Sequence, residues 1–211
     1  QYFGTDDTYH NVVRPDGVLL LQDIKRTTTR IAGNGSASLW DIGDGVVCLE
    51  FHTKMNSIDP GIMSMVEKAL QVIPAENHKA LIIHSEAANF SVGANIGLAL
   101  FAANIAGWPE ITKSVKAGQD VYKALKYAPF PVIGAPSGMA LAGGLEILLH
   151  CDAVQAHAET YMGLVEVGVG LVPAWGGCKE MLARWHHNPK GPQGPMPAIT
   201  RVFETIGTAT V

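Results

Sequence analysis

The stretch from Pro131 to Gly177, PVIGAPSGMALAGGLEILLHCDAVQAHAETYMGLVEVGVGLVPAWGG, constrains the fold more than any other part of the chain. An apolar run, Pro131-Val132-Ile133, enters a glycine-broken turn from Ser137 to Gly144. A compact apolar segment from Leu145 to Cys151 follows and carries one acid, Glu146. A strand, glycine turn and helix in this order leave free backbone N–H groups at the helix start, where the helix dipole also favours negative charge. Glu146 follows Gly143 by three residues, so on a helix the two share a face. One turn can therefore offer a carboxylate and an N–H donor to the same small volume. A second acid, Glu166, stands among Leu164, Val165, Val167 and Val169. Two acids in apolar settings point to an enzyme.

The 211 residues can bury a full core and read as one domain plus tails. Net charge is −4, with an isoelectric point near 6.0, which argues against a nucleic-acid groove or an anionic membrane surface as partner. Cys48, Cys151 and Cys178 are odd in number and widely separated. They read as reduced thiols of a cytoplasmic protein rather than a disulfide framework. No apolar run is long enough for a membrane span, and no charged-then-apolar leader opens the sequence. The chain starts at Gln1 and stops soon after a helix-like segment, and so reads as a piece of something larger.

Residues 1–35 are polar and turn-rich, with only Val18 to Ile24 suited to a strand; they read as a linker or arm from a preceding domain. From Ser36 the pattern changes. SASLWDI and VVCLEFHT flank Gly43-Asp44-Gly45 and predict a β-hairpin. Asp59-Pro60 caps and starts a helix, and Lys79 to His84 is a short buried strand. The helix from Ile96 to about Gly107 is apolar on nearly every side, which makes core its default location. Trp108-Pro109 begins another helix that ends near Tyr127. Strands alternating with helices imply an α/β fold with a parallel-rich sheet and right-handed crossovers over 36–187. Residues 188–211 are a Pro/Gly linker followed by a short helix, Ala198 to Ile206.

Two of these segments, taken together, resemble the crotonase (enoyl-CoA hydratase/isomerase) superfamily. GMALAGGLEILLHCD is similar to its G-x-A-x-G-G-G-x-E-x-x-x-x-x-D stretch, and MGLVEVGVGLVPAWGG to its F-G-x-P-E-x-x-x-G-x-x-P-x-x-G-G segment. The resemblance spans roughly Ala37 to Trp185. It implies a spiral of β-β-α repeats with a helical surround, whose C-terminal helical region would be mostly missing here; that region helps to build the family's homotrimer. It also implies an acyl-CoA thioester substrate, no metal, and no cofactor held within these residues beyond the coenzyme A of the substrate.

The resemblance assigns roles residue by residue. Reaction at the Cα of a thioester needs two N–H donors aimed at the thioester oxygen, and the matching positions are Ala94, in Phe90-Ser91-Val92-Gly93-Ala94-Asn95, and Gly143. Glu146 would activate the water that attacks Cβ, and Glu166 would deliver or abstract the Cα proton. Either acid alone could be structural, Glu146 as a buried helix-start acid and Glu166 as a strand-end acid facing solvent. Both together favour hydration of trans-2-enoyl-CoA, since double-bond isomerases of the family need only the acid at the Glu166 position. Other crotonase chemistry, isomerisation or thioester hydrolysis, is the nearest alternative, and a non-catalytic acyl-CoA-binding module is another.

Lys54 stands where the family's coenzyme A contacts begin, Gly144 is a further substrate-binding candidate, and Leu98, Leu100 and Phe101 are candidates for an acyl-chain channel. Three positions depart from the family pattern. Asn95 replaces an Asp, which alters capping little. Ala142 replaces the first of three glycines, tolerable where φ is negative. Leu164-Val165 replaces a polar-proline pair, so the pocket differs there. The wording of Val12 to Lys25 also resembles the joint in bacterial multifunctional β-oxidation proteins, where a 3-hydroxyacyl-CoA dehydrogenase precedes the hydratase domain. NAD would then belong to that other domain, because no G-x-G-x-x-G fingerprint lies within residues 1–211. Ser137 does not sit in a nucleophile elbow, and His186-His187 lacks a third metal ligand.

Overall fold

A computed structural model describes residues 1–211. Its main sheet has six strands: β3 (Arg30–Gly33), β4 (Ala37–Asp41), β5 (Val46–Phe51), β6 (Ala80–Ile83), β7 (Val132–Gly134) and β9 (Ala153–Val154), in that spatial order. The first three pair antiparallel and the rest pair parallel from β5 onward. A second, two-stranded parallel sheet joins β8 (Met139–Leu141) to β10 (Tyr161–Gly163). A small hairpin of β1 (Tyr2–Phe3) and β2 (Tyr9–His10) lies in the N-terminal arm. The helices are α1 (Leu21–Thr27), α2 (Pro60–Ala75), α3 (Ile96–Asn104), α4 (Trp108–Lys126), α5 (Gly143–Leu149), α6 (Gly177–His186) and α7 (Pro195–Gly207). The unit β-β-α recurs as β4-β5-α2, β7-β8-α5 and β9-β10-α6, which is the α/β spiral expected.

Local chemistry accounts for the elements that position the site. The β4–β5 hairpin closes on Gly43, Asp44 and Gly45, all with positive φ, as a tight turn between right-twisted strands requires. Asp59 caps α2 through its carboxylate, which accepts from Ile62 N at 2.8 Å. Helix α2 then buries Ile62, Met65, Val66, Ala69 and Ile73 against the sheet, where Leu39, Leu49, Leu81 and Ile83 are fully buried. Burying such side chains stabilises by roughly 1.5–3 kcal/mol each. Helix α4 adds Val121, Tyr122 and Leu125 to the same core.

Four expectations change. Val18 to Ile24 is not a strand: Leu21–Thr27 is helical, because Glu86 accepts from Leu21 N at 2.7 Å and Gln22 N at 3.0 Å and so caps the helix from outside. The sheet begins inside the arm, since β3 pairs with β4, so residues 30–33 fold with the domain that follows them. The glycine turn after β7 is not a direct strand-to-helix passage; β8 intervenes and builds the second sheet. Helix α3 is not core. None of its residues is buried, and Leu98, Leu100 and Phe101 are 56%, 64% and 65% exposed. Its apolar character has no preferred side, and the fold gives it α4 as its principal neighbour.

Candidate active site

Glu146 sits in the first turn of α5 and is 2% exposed. Its Oε1 accepts from Trp175 N at 2.9 Å and Gly177 N at 2.8 Å, so the loop entering α6 holds the carboxylate. Burial raises its pKa to about 7; the Gly177 N–H opposes that rise, the Glu166 charge adds to it, and the Trp175 N–H opposes it. Glu166 opens the 3-10 turn Glu166–Val169 and is 8% exposed. Its Oε2 is buried with no hydrogen-bond partner, and burial raises its pKa as well. Both carboxylates push up the Cys178 thiol, behind the same effect of burial, so their fields overlap beside α6. The glutamates, twenty residues apart in sequence, are thus both buried and close enough for the Glu166 charge to act on Glu146.

The two amides also meet. Ala94 N has no acceptor within the protein, and Gly143 N is at the first position of α5, where no intrahelical acceptor exists. A Cβ placed on Gly143 would stand 3.5 Å from Ala94 N, and one placed on Gly93 would stand 3.1 Å from Gly143 N. An anionic oxygen between these amides could therefore receive two N–H donors at the start of the helix that carries Glu146. Tyr122, fully buried, donates its hydroxyl to the Gly143 carbonyl at 3.0 Å and fixes that peptide from behind.

Ala142 departs from expectation. Its φ is 50° with ψ −123°, a region that costs a residue bearing a Cβ on the order of 1–3 kcal/mol. The position does require the conformational freedom of glycine. Ala142→Gly is expected to stabilise the chain by about 1 kcal/mol after the entropic cost of glycine is counted. A higher urea midpoint at unchanged slope would show it.

The remaining sequence candidates fall in different places. Lys54 lies exposed in the 3-10 turn Lys54–Asn56 and lines a cavity of about 260 Å³ with Thr53, Ser57, Asp59 and Asn95, the neighbour of Ala94. Gly144 is a close-packing position, since a Cβ there would stand 2.5 Å from the Ser91 carbonyl oxygen. Leu98 and Phe101 follow Ala94 on α3 but face solvent. A larger cleft of about 400 Å³ lies away from the glutamates, between α1 and the loops at 52–56 and 85–87.

Sequence reasoning did not find the groups behind Glu146. His150 donates from Nδ1 to the Glu146 carbonyl at 2.7 Å. Glu180 on α6, 2% exposed, is bound by Lys126 Nζ at 2.6 Å and Lys179 Nζ at 2.6 Å. Those ion pairs hold the Glu180 carboxyl below its ordinary range even though burial raises it. Together they dock the start of α6, and with it the Trp175–Gly177 amides, against α4 and α5. The doubled glycine at 176–177 was the available signal, since Gly176 has φ 114° and carries the chain into α6.

Residues 41–185 match the family model described as enoyl-CoA hydratase/isomerase. Among curated proteins, the chain is 42% identical over 191 residues to a Bacillus subtilis protein named probable 3-hydroxyacyl-CoA dehydrogenase, covering 90% of this chain and 24% of that protein. It is 34% identical over 168 residues to a Rickettsia prowazekii protein named putative fatty acid oxidation complex trifunctional enzyme, covering 79% of this chain and 23% of that one. The chain thus spans about a quarter of the length of these relatives. Among solved structures, an enoyl-CoA hydratase from Geobacillus kaustophilus superposes with a TM-score of 0.71 at 23% identity, covering 87% of this chain and 65% of that one. One from Polaromonas gives 0.67 at 25% identity, covering 83% of this chain and 64% of that one. The chain belongs to the enoyl-CoA hydratase/isomerase family and has the crotonase fold.

Proposed function

We propose that this chain is an enoyl-CoA hydratase domain, adding water across the double bond of trans-2-enoyl-CoA to give 3-hydroxyacyl-CoA. The observation that carries this reading is the pair of buried carboxyl groups, Glu146 and Glu166, beside two converging amides. With the thioester oxygen at the Ala94 and Gly143 N–H groups, a water held by Glu146 attacks Cβ and gives its proton to that carboxylate. The π electrons move toward Cα, and the charge collects on the thioester oxygen, where one oriented donor is worth roughly 3–4 kcal/mol. Protonated Glu166 then supplies the proton to Cα. In this reading Lys54, which shares a cavity with Asn95, the neighbour of Ala94, is the side chain that would meet a coenzyme A phosphate.

Glu146 must be ionised to act as base, so kcat/KM for crotonyl-CoA is expected to rise with pH through about 7. Product analysis tests the reaction itself. Conversion of crotonyl-CoA to 3-hydroxybutyryl-CoA supports hydration; interconversion of 2- and 3-enoyl-CoA without water addition would show isomerisation instead. Binding of CoA esters that never turn over would leave a binding module.

The names of the longer relatives support a wider reading, in which this domain works in fatty-acid oxidation beside a 3-hydroxyacyl-CoA dehydrogenase domain. The hydratase product is the substrate that such a dehydrogenase consumes. NAD would belong to that neighbour, because residues 1–211 carry no dinucleotide fingerprint.

A further inference from the structure

Trp175 touches both halves of the site. Its backbone N–H holds Glu146, and its indole lies across the first turn of α5. A Cβ placed on Gly143 would stand 2.9 Å from Trp175 Cζ3 and 3.5 Å from Ala94 N, so the benzo edge of the ring borders the two thioester-oxygen donors. The pyrrole edge presses on α4 at Gly118, the glycine that leaves room for Nε1 and Cδ1. The ring packs edge-on against Tyr122, with centroids 5.6 Å apart, and Gln119 Nε2 donates to the Ala174 carbonyl at 2.8 Å. The indole therefore fills the gap between α4 and α5 beside the two amides, seated against a glycine of each helix and against Tyr122.

We propose that the Trp175 indole is the wall that sets acyl depth, and that this site selects short-chain thioesters by denying a longer tail the space between α4 and α5. This rests on the acyl-CoA reading above. A tail that finds a buried path gains roughly fourfold in affinity per methylene, whereas a tail left in water gains nothing. Chain-length dependence of binding therefore reports whether the wall is closed.

The test measures dissociation constants of butyryl-CoA and decanoyl-CoA, which are saturated and do not react, for the unaltered chain, Trp175→Ala and Trp175→Leu. The leucine variant keeps apolar packing against Tyr122 should the alanine variant fold poorly. The unaltered chain is expected to bind the two esters within about threefold of one another. Opening the wall is expected to tighten decanoyl-CoA at least tenfold and leave butyryl-CoA within about threefold. Decanoyl-CoA already much tighter in the unaltered chain, or an unchanged ratio in both variants, overturns the wall while leaving the acyl-CoA reading intact. Binding of neither ester to the unaltered chain overturns both.

Discussion

Glu146→Gln is expected to lower kcat for crotonyl-CoA hydration by about 10²–10⁴, and at the same time to make the fold more stable in mild alkali. The amide keeps an oxygen for the Trp175 and Gly177 N–H groups, so the loop entering α6 stays docked. It loses the charge. The folded pKa of Glu146, about 7, lies above its ordinary 4.5, so the folded state favours the protonated form. The stability belonging to that form is fully present below the unfolded value and is lost as pH rises through about 7. Above that pH the buried carboxylate costs about 3 kcal/mol, which the variant avoids. Urea unfolding at pH 4 and pH 8.5 reads the difference: the two proteins match at the lower pH, which lies below the unfolded value, and the variant has the higher midpoint at the upper. Equal midpoints at both would mean that Glu146 carries no buried charge. An activity loss joined to a gain in stability separates a functional acid from a structural one.

Gly93→Ala is expected to damage the site through the backbone. Gly93 has φ 91°, and a Cβ there would stand 2.8 Å from the Ala142 Cβ, 3.0 Å from the Leu141 carbonyl oxygen and 3.1 Å from Gly143 N. Two of those atoms are backbone and cannot swing aside, so the two amide-bearing loops must separate. The strain alone is on the order of 1–3 kcal/mol, and losing one aligned donor costs about 10²–10³ in kcat. KM for crotonyl-CoA, set largely by the remote coenzyme portion, is expected to change little. A loss confined to KM would place the damage in substrate binding and away from the thioester oxygen. Here Ala142 matters again, because its own Cβ is the atom that a residue at 93 would strike first.

Some of this was legible in the sequence because the residues concerned act locally. Gly43-Asp44-Gly45 and Asp59-Pro60 name a hairpin and a helix start by their own dihedral and capping preferences, and the structure has both. The four candidate residues Ala94, Gly143, Glu146 and Glu166 came from spaced motifs; the fold sets the first two amides side by side and brings the Glu166 charge to bear on Glu146. What the sequence hid is relational. Nothing in Val18 to Ile24 says that Glu86, far along the chain, caps a helix there. Helix α3 reads as core because its composition is apolar, yet composition cannot say that the fold leaves its surface open. Ala142 looks like a tolerable replacement until its φ of 50° is known. The carboxylate of Glu146 is held by backbone amides of residues 175 and 177, which have no side-chain signature.

The most direct measurement of the central claim is the rate of crotonyl-CoA hydration, followed by loss of the enoyl-thioester absorbance, for the unaltered chain, Glu146→Gln and Glu166→Gln. The expected result is turnover in the unaltered chain that falls by at least about 10² in each variant, because each carboxyl group moves a different proton. Turnover that survives Glu146→Gln and fails only in Glu166→Gln would contradict the two-acid account and leave one-acid isomerase chemistry in its place.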